Sequence, residues 1–119
     1  MKTKKEHLLS CPVAGFTYYQ GVSLLAEMSL GTELQLKRDK NNKYDPQAIM
    51  IKYQGEKIGY IPRNQNTLIY KLLKVGYKGF NCIVQRIKTD SHPEDMLHVA
   101  VFLTGEKKKK SEQESEENI

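Results

Sequence analysis

The apolar residues of this chain come in short runs that alternate with polar ones, and each run is bounded by glycine, proline, asparagine or aspartate. This patterning constrains the fold more than any other feature, because a period of two belongs to half-buried strands and closely set turn residues keep each strand short. TELQLKRD (32–39) sets Leu34 and Leu36 among polar neighbours. AIMIKY (48–53) repeats the pattern, and Gln54-Gly55-Glu56 turns the chain into KIGYIP (57–62), so these segments form a meander. FNCIVQRIKT (80–89) and MLHVAVFL (96–103), joined by DSHPED, read as a closing hairpin. VAGFTYY has strand composition, and residues 12–18 are expected as the first strand.

Two segments change period. VSLLAEMSLG places Val22, Leu25 and Met28 at helical spacing, with Gly31 as the stop. RNQNTLIYKLLKVG sets Leu68, Ile69, Leu72 and Leu73 on one apolar stripe, offers an Asn or Thr as N-cap, and stops at Gly76. The expected order is β-α-β-β-β-α-β-β. Short strands in a small chain favour a closed or nearly closed barrel, since closure removes sticky edges. The fold class is therefore mainly β with two helices, a small six-stranded barrel of the OB-like or SH3-like kind.

Length agrees with this, because 119 residues allow one domain with short tails. Lys and Arg total 19 against 14 Asp and Glu, a net +5 that leans towards anionic partners. The ends add little to this bias: with residues 1–10 and 105–119 set aside, 12 basic and 8 acidic residues remain, or +4. GEKKKKSEQESEENI cannot bury enough apolar surface to offset chain entropy, so 105–119 is expected to be disordered, 1–10 flexible, and 11–104 folded. No apolar run approaches the ~20 residues of a membrane span, and the N-terminus lacks a signal-peptide core, so a soluble cytoplasmic protein is expected. Cys11 and Cys82 lie far apart and outside any CxxC pair, which makes them ordinary buried thiols.

Catalysis finds no support in the motifs. Ser10, Ser23, Ser29 and Ser91 lack a nucleophile-elbow context, and His7, His92 and His98 lack metal-ligand spacing. Asp39 and Asp45 flank one loop, but nothing places a third acid with them as a metal-dependent nuclease requires. No enzyme, no cofactor and no metal are expected.

The informative segment is RDKNNKYDPQAI (38–49). Asn41 and Asn42 tolerate left-handed backbone, and Pro46 pushes Asp45 towards an extended conformation, so the loop should hold a defined shape. It presents Asn42, Tyr44 and Asp45 among Arg38, Lys40 and Lys43, while Gly59-Tyr60-Ile61-Pro62-Arg63 arrives from a neighbouring strand. Aromatic rings interleaved with cations suit single-stranded nucleic acid, where bases stack at ~1 to 3 kcal/mol each and cations follow the phosphates.

GFTYYQG, RDKNNKYDPQAIMI and KIGYIPR together resemble the signature segments of HIRAN domains, over roughly residues 12–103. The resemblance implies a modified OB-like barrel that binds single-stranded DNA and captures its 3′-hydroxyl end. It implies that Tyr18 and Tyr44 sandwich the terminal base, that Asn42 and Asp45 bond the end nucleotide, and that Arg63 holds phosphate. Thr17 stands where the end-binding pattern has an arginine, and Tyr60 where it has a histidine.

Asp45 supplies a separate argument. A carboxylate in a basic groove repels phosphate, yet it accepts well from a hydroxyl that exists only at a strand terminus. The plainer alternative is an Asx-turn in which Asp45 merely fixes its loop. Arg63 has a similar alternative as a bond to that loop, Tyr60 as an unliganded rim residue, and Tyr44 as a ring packed down on the barrel. The expected function is thus a nonenzymatic module for the 3′ end of single-stranded DNA in repair or fork processing. The alternative is a barrel that docks a separate helicase or nuclease without touching DNA. A monomer is expected, with no membrane partner.

Overall fold

The alternating runs become strands that hydrogen-bond side by side. The computed structural model describes residues 4–16, 19 and 21–105. Strands β1 (Lys5–Pro12), β2 (Glu33–Arg38), β3 (Ile49–Tyr53), β4 (Glu56–Tyr60), β5 (Phe80–Ile87) and β6 (Leu97–Thr104) form one antiparallel sheet in the order β1-β6-β5-β2-β3-β4. Helix α1 (Gly21–Leu24) runs into a 3-10 turn at Leu25–Glu27, and α2 (Thr67–Lys74) follows a 3-10 turn at Arg63–Gln65. The protein is mainly β, as expected.

Strand β2 bends the sheet by changing partners. Glu33 and Leu34 pair with Ile83 and Cys82 of β5, whereas Gln35 to Arg38 pair with Lys52 to Ile49 of β3. Irregularities in β1 at His7/Leu9 and in β5 at Val84/Arg86 add curvature, as bulges do. The edge strands β1 and β4 share no ladder. A single bridge ties the chain beyond β1 to the end of β4: Ala14 N–H donates to Tyr60 O at 2.8 Å, and Tyr60 N–H donates to Ala14 O at 2.9 Å. The result is a barrel-like OB fold that is not closed by a full set of strand pairs.

Gly59 makes that bridge possible. A Cβ at this position would lie 2.6 Å from the Ala14 carbonyl oxygen, so only glycine lets the two backbones approach. The core inside the curl contains Val13, Phe16, Ile51, Ile58, Ile69 and Val99, all essentially buried. Each such side chain contributes roughly 1.5 to 3 kcal/mol by leaving water.

Several sequence expectations are corrected. The first strand is Lys5–Pro12 and not 12–18, so residues 5–10 belong to the sheet instead of a flexible end. Its charged residues mislead because an edge strand keeps Lys5, Glu6 and His7 exposed while Cys11 faces the core. Gly15, at φ 71°, then ends the extended run. The first helix stops at Leu24; Met28 is already extended, and Gly31, at φ 89°, makes the turn into β2 instead of capping a helix. On α2, Ile69 is buried and Leu73 packs on the core, but Leu68 is half exposed, so the stripe is narrower than its spacing implied. Residues 106–119 of the tail lie outside the described residues. No helix among the described residues is long and apolar enough to cross a membrane.

Candidate functional site

The loop between β2 and β3 is built around the Asn42 side chain. Asp39 N–H donates to Ala48 O at 3.0 Å and closes the loop base. Within it, Asn42 Oδ1 accepts from the backbone N–H groups of Tyr44 at 2.8 Å and Asp45 at 2.9 Å. Asn42 Nδ2 donates to Asp39 Oδ2 at 3.4 Å. A short amide side chain can bond its own neighbouring backbone in this way, which explains why an Asn serves here. The Asn42 amide is therefore a structural hub, and the Tyr44 ring that it positions is 85 % exposed. Tyr44 does not pack down on the barrel.

Asp45 is held from three directions. Its Oδ1 accepts from Gln47 N–H at 2.9 Å, the Asx-turn of the plainer sequence reading. Its Oδ2 accepts from Asn66 Nδ2 at 2.9 Å and lies 4.0 Å from Arg63 Nε. Arg63 also donates from Nη2 to Tyr44 O at 2.8 Å, so it does bond the loop as its own plainer reading had it. Its side chain is 73 % exposed, and an ion pair of that exposure contributes little to stability. The Asp45 carboxylate, 18 % exposed, keeps spare acceptor capacity, since two oxygens offer about four lone-pair sites.

A second network lies beside the first. Tyr60 Oη donates to Asp39 Oδ2 at 2.5 Å and accepts from Lys57 Nζ at 3.2 Å. The Lys57 ammonium also lies 4.4 Å from the centre of the Tyr19 ring and 5.1 Å from that of Tyr60, and the two rings meet edge to face at 5.7 Å. The Tyr60 hydroxyl, donated to the carboxylate, is the main cause holding the Asp39 carboxyl below its ordinary value, with Asn42 and Lys57 adding to it. Burial, and then the adjacent Asp39 carboxylate, push the Tyr60 phenol above its usual value. Tyr60 is thus a committed hydrogen-bonding residue.

Both networks border one open recess of about 210 Å³, lined by Ala14, Asn42, Tyr44, Asp45, Tyr60 and Arg63 together with Ala48 and Ile61. The residues singled out from sequence at 42, 44, 45, 60 and 63 therefore meet in space. Thr17 and Tyr18 lie outside the described residues. Asn66, Lys57 and Tyr19 join the site without having been marked for it. Asn66 stands at the N-cap of α2 as an Asn or Thr was expected to, but its side chain makes no cap bond and turns to Asp45 instead. Lys57 was hidden by a bulge: Ile51 pairs with Gly59 and Lys52 with Lys57, which leaves Ile58 as an extra residue in β4. Simple alternation puts residues 57 and 60 on opposite faces, and the bulge brings them to one.

Among the described residues, no three His, Cys, Asp or Glu side chains gather where they could hold a metal ion. What the recess offers is a hydrogen-bonded carboxylate at its wall, an exposed ring, and cations at its rim. That combination can bind a polar, partly aromatic, anionic ligand.

Comparison with known proteins agrees. A crystal structure of a protein from Lactobacillus plantarum superposes with a TM-score of 0.73 at 26 % identity, covering 87 % of this chain and 98 % of that one. The HIRAN domain of human HLTF superposes with a TM-score of 0.60 at 19 % identity, covering 84 % and 77 %, which shows a shared fold. No curated protein matches the sequence. The sequence model of the HIRAN domain matches residues 7–106, nearly all of the described structure, and the chain belongs to the HIRAN domain family, a family of nucleic-acid-binding domains.

Proposed function

We propose that this chain is a nonenzymatic module that captures the 3′-hydroxyl end of single-stranded DNA in the recess between the β2–β3 loop and the end of β4, in the service of repair or fork processing. The observation that carries this reading is the Asp45 carboxylate, fixed by Gln47 N–H and Asn66 Nδ2 beside the exposed Tyr44 ring. A preorganised carboxylate at this wall repels an internal or terminal phosphate and accepts a hydrogen bond from a terminal hydroxyl. Tyr44 offers a face on which the last base stacks, and the family pattern assigns the opposing ring to Tyr18. Arg63 neutralises the phosphate that precedes the terminal nucleotide.

The test is fluorescence anisotropy with strands ending in a 3′-hydroxyl or a 3′-phosphate, using wild type and Asp45→Ala. Tighter binding of the hydroxyl strand, with the preference lost in Asp45→Ala, is the expected result. Equal binding of both strands by wild type would refute end capture. Binding of neither would turn attention to a protein partner such as a helicase or nuclease.

A further inference from the structure

The outward face of β2, β3 and β4 contains a like-charged pair that works against folding. Lys52 and Lys57 are direct partners across β3 and β4. Like charges opposite one another destabilise a sheet; Asp39 offsets part of the Lys57 charge through their electrostatic contact, while no described carboxylate pairs with Lys52. The same register extends the face. Lys37 lies opposite Met50, Met50 opposite Tyr60, and Lys52 opposite Gln35 and Lys57. Ile49, Ile51 and Tyr53 take the buried side of β3, which leaves Met50 and Lys52 outward.

The cations on this face differ in how they are held. Lys57 is fixed near the recess by the Tyr60 hydroxyl and by the Tyr19 and Tyr60 rings. The ammonium groups of Lys37 and Lys52 make no hydrogen bond or ion pair with any described residue. The acids of these strands lie at the end remote from Tyr60: Glu33 begins β2 on the same exposed side as Gln35 and Lys37, and Glu56 begins β4 next to Lys57. Asp39, at the near end, is already engaged by Tyr60 and Asn42. The part of the face nearest the recess is therefore cationic, and carboxylates return only at its far end.

We infer that this face carries the sugar-phosphate backbone of the single-stranded DNA whose end enters the recess, with Lys57 at its mouth and Lys52 and Lys37 beyond. The inference rests on the proposed function for the position of the strand end. Neighbouring strands are ~4.8 Å apart, so the ammonium groups on flexible stems reach successive phosphates of an extended strand. A phosphate seated between Lys52 and Lys57 also relieves their repulsion. Binders of single strands combine such a cationic track with stacking rings, and this face ends at Tyr60, Tyr19 and Tyr44.

The experiment compares the full chain with the Lys37→Gln/Lys52→Gln double variant, using a 3′-hydroxyl dinucleotide and a 3′-hydroxyl decanucleotide across a salt series. The folded state of each protein is checked by circular dichroism. The double variant should bind the decanucleotide about tenfold more weakly at low salt. Its log–log salt slope should fall by about 1.4, from two cations at ~0.7 each. The dinucleotide, too short to reach both lysines, should bind as before. Unchanged decanucleotide affinity and slope would overturn the track, as would an equal loss on both lengths or failure of wild type to bind either strand. A 3′-phosphate decanucleotide separates the two ideas. If wild type binds both end types alike but the salt slope still falls in the variant, the track stands and end capture fails. If the hydroxyl preference is present and the slope does not respond, end capture stands and the track fails.

Discussion

Asn66 occupies the N-cap position of α2, yet it donates to Asp45 Oδ2 at 2.9 Å and caps nothing. The helix thereby gives up a stabilising cap to orient a carboxylate in a loop 21 residues earlier. Asn66 is 1 % exposed; the Asp45 carboxylate, which can only accept, fixes the NH2 end of the amide towards it and leaves Oδ1 without a hydrogen-bond partner among the described residues.

Replacing this residue separates its charge from its shape. Asn66→Ala removes a buried bond to a charged group and should cost about 1.5 to 3 kcal/mol in urea denaturation. Asn66→Asp should cost more at neutral pH, because it sets a buried carboxylate against Asp45, and the excess should shrink as the pH is lowered. Equal losses for both variants at all pH values would show that Asn66 serves packing alone.

Tyr60 and Asp39 predict a pH dependence of definite sign. The Asp39 carboxyl is held below its ordinary value, chiefly by the Tyr60 hydroxyl. A group with a depressed folded-state pKa contributes stability above its unfolded value of ~3.9, and that stability is lost as the pH falls through the lower folded value. Tyr60→Phe should move the Asp39 titration back up towards the ordinary range, as followed by carboxyl NMR. It should also flatten the decline of stability between pH 4 and the acid limit. An Asp39 titration indifferent to the substitution would assign the shift to Asn42 and Lys57.

Lys52→Gln should raise stability at low salt by about 0.5 kcal/mol, since it ends the like-charged pairing with Lys57. The gain should fade as salt is added, because screening already weakens the repulsion. Denaturation at two ionic strengths measures both effects, and a loss of stability at low salt would contradict the stated cost of the pair.

The thiols should be inert in the native protein. Burial pushes Cys11 up to about 11 and Cys82 higher still, with Cys11 adding to the shift at Cys82. A thiol reagent at pH 8 should therefore modify both slowly until the chain is unfolded, because the thiolate is the reactive form. Rapid labelling of the folded protein would indicate that the β1–β6–β5 region opens readily.

Much of this was legible in the sequence, and the exceptions have physical causes. β2, β3 and β5 follow from period-two alternation, since each has one buried face, whereas β4 and β6 were found as short apolar runs although Ile58 and Gly59, and Val99 to Val101, are buried in succession. β1 was misplaced because an edge strand satisfies its outward positions with the same charges that mark a tail. In the site, Asn42, Tyr44 and Asp45 were visible because one loop carries them all, and Arg63 because it ends the next conspicuous motif. Asn66 was not, because its contact with Asp45 exists only once α2 is packed against the barrel. Lys57 was not, because a bulge changes which face a residue takes and leaves no mark in the amino-acid pattern.

The Ala14–Tyr60 bridge gives the barrel an unequal resistance to opening. Everywhere else adjoining strands are joined by ladders, whereas here two hydrogen bonds hold the seam, each worth about 0.5 to 1.5 kcal/mol net. Ala14 and Tyr60 also line the recess. A join held by two backbone hydrogen bonds and the recess are therefore the same place, so the spacing of that join sets the width of the recess while the rest of the sheet stays paired. The width of the recess is then coupled to the mechanical give of one seam, whose closeness depends on Gly59 because a Cβ there would collide with the Ala14 carbonyl.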